Sequence, residues 1–140
     1  MAHIAEHTEL DLDSPLLVEG LPGVGLVGKI ATSHLVEQFD MVEYASCHCD
    51  GLPRTAVYEE GDRSVRPPVR LYASEDHDLL ALQSDVPVSP ESAPEFATCV
   101  TGWLAANDVT PVYLSGLPGE KDDVPQMYGV AVGAAQDRLT

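Results

Sequence analysis

The chain has 140 residues, of which 44% are hydrophobic, and its 23 acidic and 7 basic residues give a formal net charge of −16. This length and hydrophobic content suit one domain with a packed core and exclude a disordered chain. The excess of carboxylates disfavours a nucleic-acid partner, because such a surface repels phosphate backbones and has no basic stripe to displace their counterions.

The acidic residues are spread along the whole sequence, which contains only two lysines, Lys29 and Lys121. This pattern resembles the surfaces of proteins from extreme halophiles, and the alternative is an ordinary acidic protein. No apolar run approaches the ~18 residues of a membrane span, and the N-terminus lacks the features of a signal peptide. We therefore expect a cytoplasmic protein with no membrane partner. Three cysteines, Cys47, Cys49 and Cys99, predict no disulfide framework, in agreement with a reducing compartment.

The first 14 residues are polar and acidic and predict an arm or edge segment before a single α/β domain over residues 15–140. Within that domain, alternation over 41–49 and short apolar runs elsewhere predict strands, and apolar residues spaced three and four apart predict helices. The predicted strands lie at 16–18, 41–49, 55–58, 69–73, 79–83 and 109–114, and the predicted helices run from Val24 or Val27 to Phe39, over 93–106 and from 133 onward.

The connections differ between the two parts of the domain. The first strand, the first helix and the second strand form a β-loop-α-β unit whose length suits a right-handed parallel crossover. The middle strands are separated by Glu59–Asp62, Pro67–Pro68 and Ser74–Asp78, which are typical of hairpin turns and predict antiparallel pairing. The sequence therefore predicts an α/β fold with a mixed sheet.

A glycine-rich loop joins the first strand to the first helix, and it fits two phosphate-binding patterns at once. Gly23, Gly25 and Gly28 have the spacing of the dinucleotide fingerprint. Gly23, Gly28 and Lys29 have the spacing that opens a P-loop. Glycines let the backbone approach a phosphate, and the free N–H groups at a helix N-terminus favour an anion. Anion binding is therefore one interpretation of this loop.

Each phosphate-binding pattern lacks one part. Ile30 stands where a P-loop needs Ser or Thr to hold magnesium, and Asp50 is the one candidate partner for a ribose. The alternative interpretation is a tight turn from strand to helix, because Gly-Leu-Pro-Gly occurs at 20–23 and again at 116–119, with Gly-Leu-Pro at 51–53. The candidate binding residues are Gly20, Pro22, Gly23, Gly25, Gly28, Lys29, Gly116, Pro118 and Gly119.

We find no catalytic or metal-binding constellation in the sequence. On a strand, Cys47 and Cys49 face one way and His48 the other, and two thiols lack the second pair of ligands that a structural zinc needs. We predict that these cysteines pack in the core. No nucleophile is placed beside a base, so we predict no catalytic residue, no metal site and no cofactor.

The two glycine loops resemble the proteasome assembly chaperone family. The resemblance rests on Leu16–Lys29 with its Gly-Leu-Pro-Gly-x-Gly-x-x-Gly loop, on Gly51–Pro53 and on Val112–Gly119. The similar proteins are the second of the paired eukaryotic chaperones and its archaeal and bacterial relatives, most of which are longer. The chain is therefore expected to be the N-terminal part of the family domain.

The family resemblance implies a three-layer α/β/α fold of the nucleoside-phosphorylase type with a mixed sheet. It also implies oligomer formation, binding to proteasome α subunits or to a paralogous chaperone, and no established catalysis. The alternative function is a small-molecule or nucleotide-binding enzyme that uses the loop from Gly23 to Lys29.

Overall fold

The computed structural model describes residues 3–49, 51–120 and 124–138. In these residues a six-stranded mixed sheet carries two α-helices, which confirms the predicted α/β class. The strands are β1 (His3–Glu6), β2 (Leu16–Gly20), β3 (Val42–His48), β4 (Val69–Ser74), β5 (Leu79–Ser84) and β6 (Thr110–Tyr113). The helices are α1 (Val27–Gln38) and α2 (Ala93–Ala106), with 3₁₀ turns at Val24–Leu26 and Gly133–Arg138.

The strand order in the sheet is β1-β3-β4-β5-β2-β6. Strand β2 pairs in parallel with β5 and β6, while β4 pairs antiparallel with β3 and β5. Strands β2 and β3 therefore run in the same direction, as the predicted crossover requires, but they are not neighbours. The β4–β5 hairpin lies between them, since its turn at Ser74–Asp78 keeps both of its strands together in the sheet.

Two regions of the sequence differ in the structure from their predicted elements. The prediction of a strand at 55–58 is wrong, because in this segment Val57 makes an isolated bridge to Arg66 and no ladder. The nearby Pro67 and Pro68 have no N–H groups to extend the pairing. Part of the acidic N-terminal segment forms β1, an edge strand antiparallel to β3, while the boundary between an arm and a domain at residue 15 stays a prediction.

The two helices pack against opposite faces of the sheet. Strand alternation turns Leu80 and Leu82 towards the face that α2 covers, where the buried core includes Leu17, Leu71, Phe96, Val100 and Leu104. Gln83 and Gly20 face the other way, towards α1, and Gln83 donates a hydrogen bond to Thr32. The relation to the nucleoside-phosphorylase type and the layering of a complete family domain stay predictions. No helix in the described residues is long and apolar enough to cross a membrane.

The structure pairs Cys49 with Cys99 in a disulfide that joins the end of β3 to α2. The expectation that the cysteines form no disulfide is therefore wrong for this pair. Local patterns place Cys49 on the core side of its strand, but they do not show which helix covers it, and Cys99 is 50 residues away. Cys47 is a buried free thiol, as predicted.

Candidate functional site

The two Gly-Leu-Pro-Gly loops leave the sheet side by side. Strands β2 and β6 are parallel neighbours, with Glu19 opposite Tyr113, so their carboxyl ends lie side by side at the same end of the sheet. The start of α1 and the segment after β6 approach each other closely at Gly28, where an added Cβ would lie 3.2 Å from the carbonyl oxygen of Leu114. Sequence repetition thus marks two turns at one end of the sheet, which the structure brings together.

Two of the candidate glycines are contact points between helix and sheet. A Cβ on Gly20 would overlap the Thr32 side chain and would lie 2.6 Å from the carbonyl oxygen of Gly28. A Cβ on Gly28 would lie 3.2 Å from the Cα of Gly20. Thr32 is fully buried at this contact, and its hydroxyl donates to the Gly28 carbonyl over 2.9 Å. Gly20 and Gly28 therefore allow α1 to approach β2 closely.

The rest of the first loop is open. Gly25 has a φ of 66°, which favours glycine, and the following Leu26 is also left-handed with a φ of 53°. Gly23 is extended, and the nearest atom to a Cβ there would be 4.0 Å away. Pro22 is half-buried, and in the second loop Gly116 is half-buried while Pro118 and Gly119 are exposed.

Lys29 is turned away from the loop and towards the end of β5. Its Nζ lies 3.0 Å from Asp85 Oδ1 and donates to the carbonyl oxygen of Ser84 over 3.2 Å. Arg70 binds the other oxygen of Asp85 at 2.7 Å. Burial raises the pKa of Asp85, but the hydrogen bonds and charges of Arg70 and Lys29 together lower it below its usual value. The positive charge that a P-loop would direct at a phosphate is thus neutralised within the fold.

A carboxylate at the end of β2 also disfavours an anion near the loop. Glu19 is half-buried, and its Oε1 accepts a hydrogen bond from the N–H of Leu21 over 3.3 Å. Burial raises the pKa of Glu19, and the hydrogen bond from Leu21 opposes that rise. Glu19 is not among the site residues predicted from the sequence, although a lone charge inside an apolar strand is a readable signal. Asp50, the candidate ribose partner, lies outside the described residues.

Exposed apolar side chains gather around the paired loops. The residues concerned stand in two segments, of which 20–36 contains one charged residue, Lys29, and 109–119 contains none. Strand register places Val112 beside Val18, on the face that carries α1. We define the apolar strip by its exposed members, which are Leu26, Val27, Ile30, Val112 and Leu117. Several exposed apolar side chains in neighbouring segments make this end of the sheet a candidate protein-binding surface.

The fold and these loops define an α/β protein in which glycines of the first loop pack helix against sheet, the second loop lies beside the first, and exposed apolar side chains stand next to both. The PAC2 family model matches residues 17–138, and the chain belongs to that family.

Two known proteins show how far the similarity extends. An uncharacterised protein of Methanocaldococcus jannaschii, MJ0106, is 32% identical over 127 residues, which cover 90% of this chain and 51% of that protein. The crystal structure of Pyrococcus furiosus PbaA, an archaeal homolog of proteasome-assembly chaperone, matches with a TM-score of 0.73 and 25% identity, over 89% of this chain and 53% of that one. The chain therefore spans about half the length of these relatives.

A third protein shares the fold. Pyrococcus furiosus PbaB, an archaeal proteasome activator, matches with a TM-score of 0.67 and 22% identity, over 91% of this chain and 54% of that one. This likeness is evidence for the fold alone.

Proposed function

We propose that this chain is a non-enzymatic, chaperone-like protein that binds other proteins during assembly of the proteasome core particle. Membership of the PAC2 family and the likeness to PbaA support this role. The proposed partners are proteasome α subunits or a paralogous chaperone, together with further copies of the chain in a homo-oligomer. We also propose a cytoplasmic location in a halophilic archaeon.

The observation that carries the proposal is the apolar strip. The chain has a net charge of −16, so most of its surface repels another acidic protein, whereas the strip combines exposed apolar side chains with a local sequence almost free of charge. Burying one such side chain contributes about 1.5–3 kcal/mol. A partner that covers the strip and the paired glycine loops therefore gains apolar burial where the local sequence adds little charge repulsion.

Two observations oppose the alternative of a nucleotide-binding enzyme. The Lys29 ammonium is bound to Asp85, and the half-buried Glu19 lies at the end of the strand that leads into the loop. A thermal melt with and without nucleotides and dinucleotides separates the two functions, because a ligand that binds the folded state at 100 times its Kd stabilises it by about 2.7 kcal/mol. We expect no shift, and a shift of several degrees would support the enzyme.

The test of the proposed role is co-purification at high salt with the proteasome α subunits of the same organism. Ile30→Asp and Leu117→Asp place a charge in the strip at positions that are 63% and 72% exposed. Val65→Asp is the matched control, because Val65 is 68% exposed and lies outside the strip. We expect the wild type and the control to retain the α subunits and both strip variants to lose them. Equal retention by all four proteins, or none by the wild type, would refute the proposal.

A further inference from the structure

We infer that the Cys49–Cys99 disulfide is a reversible thiol–disulfide exchange site that controls how firmly the first half of α2 is held to the sheet. The inference does not depend on the proposed partners. It rests on four features of the structure: the unequal exposure of the two cysteine residues, the inert third thiol, the position of the bond in the fold and the core contacts that remain without it.

The two cysteine residues differ in exposure. Cys49 is only 6% exposed just after β3, among the core residues. Cys99 is half-buried and lines an open groove of about 670 Å³ between α2 and β1, together with Pro94, Thr98 and Trp103. An external thiolate therefore approaches the disulfide from the groove at Cys99, with Cys49 as the leaving group.

The third cysteine does not compete in this exchange. Cys47 lies two residues before Cys49 on β3, so strand alternation places it on the same side of the sheet. Burial raises the pKa of the Cys47 thiol to about 12, and a protonated thiol is not the attacking species. The disulfide therefore does not rearrange within the chain, and a reductant must come from outside.

The reductant that fits this site is a small dithiol or a dithiol protein. One thiolate of the reductant attacks Cys99 Sγ, the bond between the two cysteines breaks, and Cys49 leaves as a thiolate that takes up a proton. The second thiolate of the reductant then attacks its own sulfur in the mixed disulfide and releases Cys99, which also takes up a proton. The reductant becomes a disulfide, and two electrons pass to the cysteine pair.

In the described residues, the bond is joined by a hydrogen bond between the segment after β3 and the residue before α2. In this hydrogen bond, the Ser92 hydroxyl donates to the carbonyl oxygen of Gly51 over 2.9 Å. Val100 and Leu104 keep the second half of α2 on the core whether or not the disulfide is present, while Phe96 is the one buried core residue of the first half. Opening the bond should therefore loosen the first turns of α2 and the adjoining loop while the fold persists.

The proposed location agrees with reversible chemistry. Disulfides inside the cells of mesophiles are usually transient and serve catalysis or redox sensing, since the surroundings reduce accessible ones. A bond in which one cysteine lines an open groove belongs to that class more readily than a bond buried at both ends.

The experiment uses the full chain in buffers set by mixtures of oxidised and reduced dithiothreitol. Free thiols are alkylated under native conditions and again after unfolding, and amide hydrogen exchange is followed through α2. After reduction we expect two additional thiols and at least about tenfold faster exchange at 93–99, with 100–106 unchanged, because local opening is separable from global unfolding. Reoxidation should restore the original protection.

Two variants provide the controls. Cys47→Ser should behave as the wild type, since its thiol takes no part, and Cys99→Ser should show the fast exchange in both buffers. Three free thiols in the oxidised buffer would overturn the inference. So would identical exchange in the two redox states, or loss of protection along the whole of α2 on reduction. Because the redox comparison is made on the wild type, it remains decisive even where Cys99→Ser does not fold.

Discussion

Replacing Gly20 with alanine should separate α1 from β2. The added Cβ would overlap the Thr32 side chain and approach the carbonyl oxygen of Gly28 to 2.6 Å, a distance that real Cβ atoms do not show. The carbonyl is backbone, so it cannot swing aside as a flexible side chain would. The helix must move away from the strand, or Thr32 must give up its buried position and its hydrogen bond to Gly28.

The expected cost of this substitution follows from two contributions. Forcing an extra methyl group into a packed contact costs about 1–3 kcal/mol. Loss of the hydrogen bond between Thr32 and Gly28 adds about 1 kcal/mol. We therefore expect the free energy of unfolding to fall by about 3 kcal/mol, which corresponds to a decrease in Tm of roughly 10 °C for a domain of this size.

The assay is thermal and urea unfolding at high salt, with Gly23→Ala as the matched control. Gly23 is extended and has open space around it, so alanine should change its Tm by no more than about 1 °C. Equal Tm values for the two variants would refute the conclusion that Gly20 is a packing residue. If only Gly23→Ala lowered the Tm, Gly23 would have a structural role that its extended conformation and open surroundings do not explain.

Three further predictions concern charge and the disulfide. Glu19→Gln should raise the Tm at pH 7, because burial raises the pKa of Glu19 and penalises its charged form, and a lower Tm would contradict this. Partial burial, with His3 and His7 nearby, lowers the pKa of His48. The unfolded state therefore binds more protons than the folded state just below pH 6.5, and the free energy of unfolding should fall as the pH drops through that range. In a series of thermal melts from pH 7.5 to 5, His48→Gln should reduce the dependence of Tm on pH. Reducing the disulfide, which closes a loop of 50 residues, should cost about 4 kcal/mol in urea unfolding, and an unchanged midpoint would show that the bond does not constrain the unfolded chain.

Local patterns predicted the elements whose signals are themselves local. The bounds of α2 follow from its apolar spacing, and the hairpin of β4 and β5 follows from the polar turn at 74–78. The order of strands is not local information. The insertion of β4 and β5 between β2 and β3 and the disulfide over 50 residues depend on contacts between distant segments, which a single sequence does not reveal.

For the site, Gly-Leu-Pro-Gly at 20–23 correctly indicated a turn that joins strand to helix, whereas the copy at 116–119 leaves β6 and no α-helix follows it in the described residues. The separate roles of the glycines were not predictable, since the packing of Gly20 and Gly28 and the openness of Gly23 depend on where Thr32 lies. In the sequence, Ile30 is informative only because it occupies the position where a P-loop has Ser or Thr. In the structure it is exposed and is a member of the apolar strip. The sparse charge of residues 20–36 in such an acidic chain was a readable signal for that surface.

Sedimentation velocity of the purified chain mixed with purified proteasome α subunits at high salt tests the proposed complex most directly. We predict a new, faster-sedimenting species that contains both proteins and disappears with Ile30→Asp but persists with Val65→Asp. Separate boundaries for the wild type and the α subunits at tens of micromolar would contradict it.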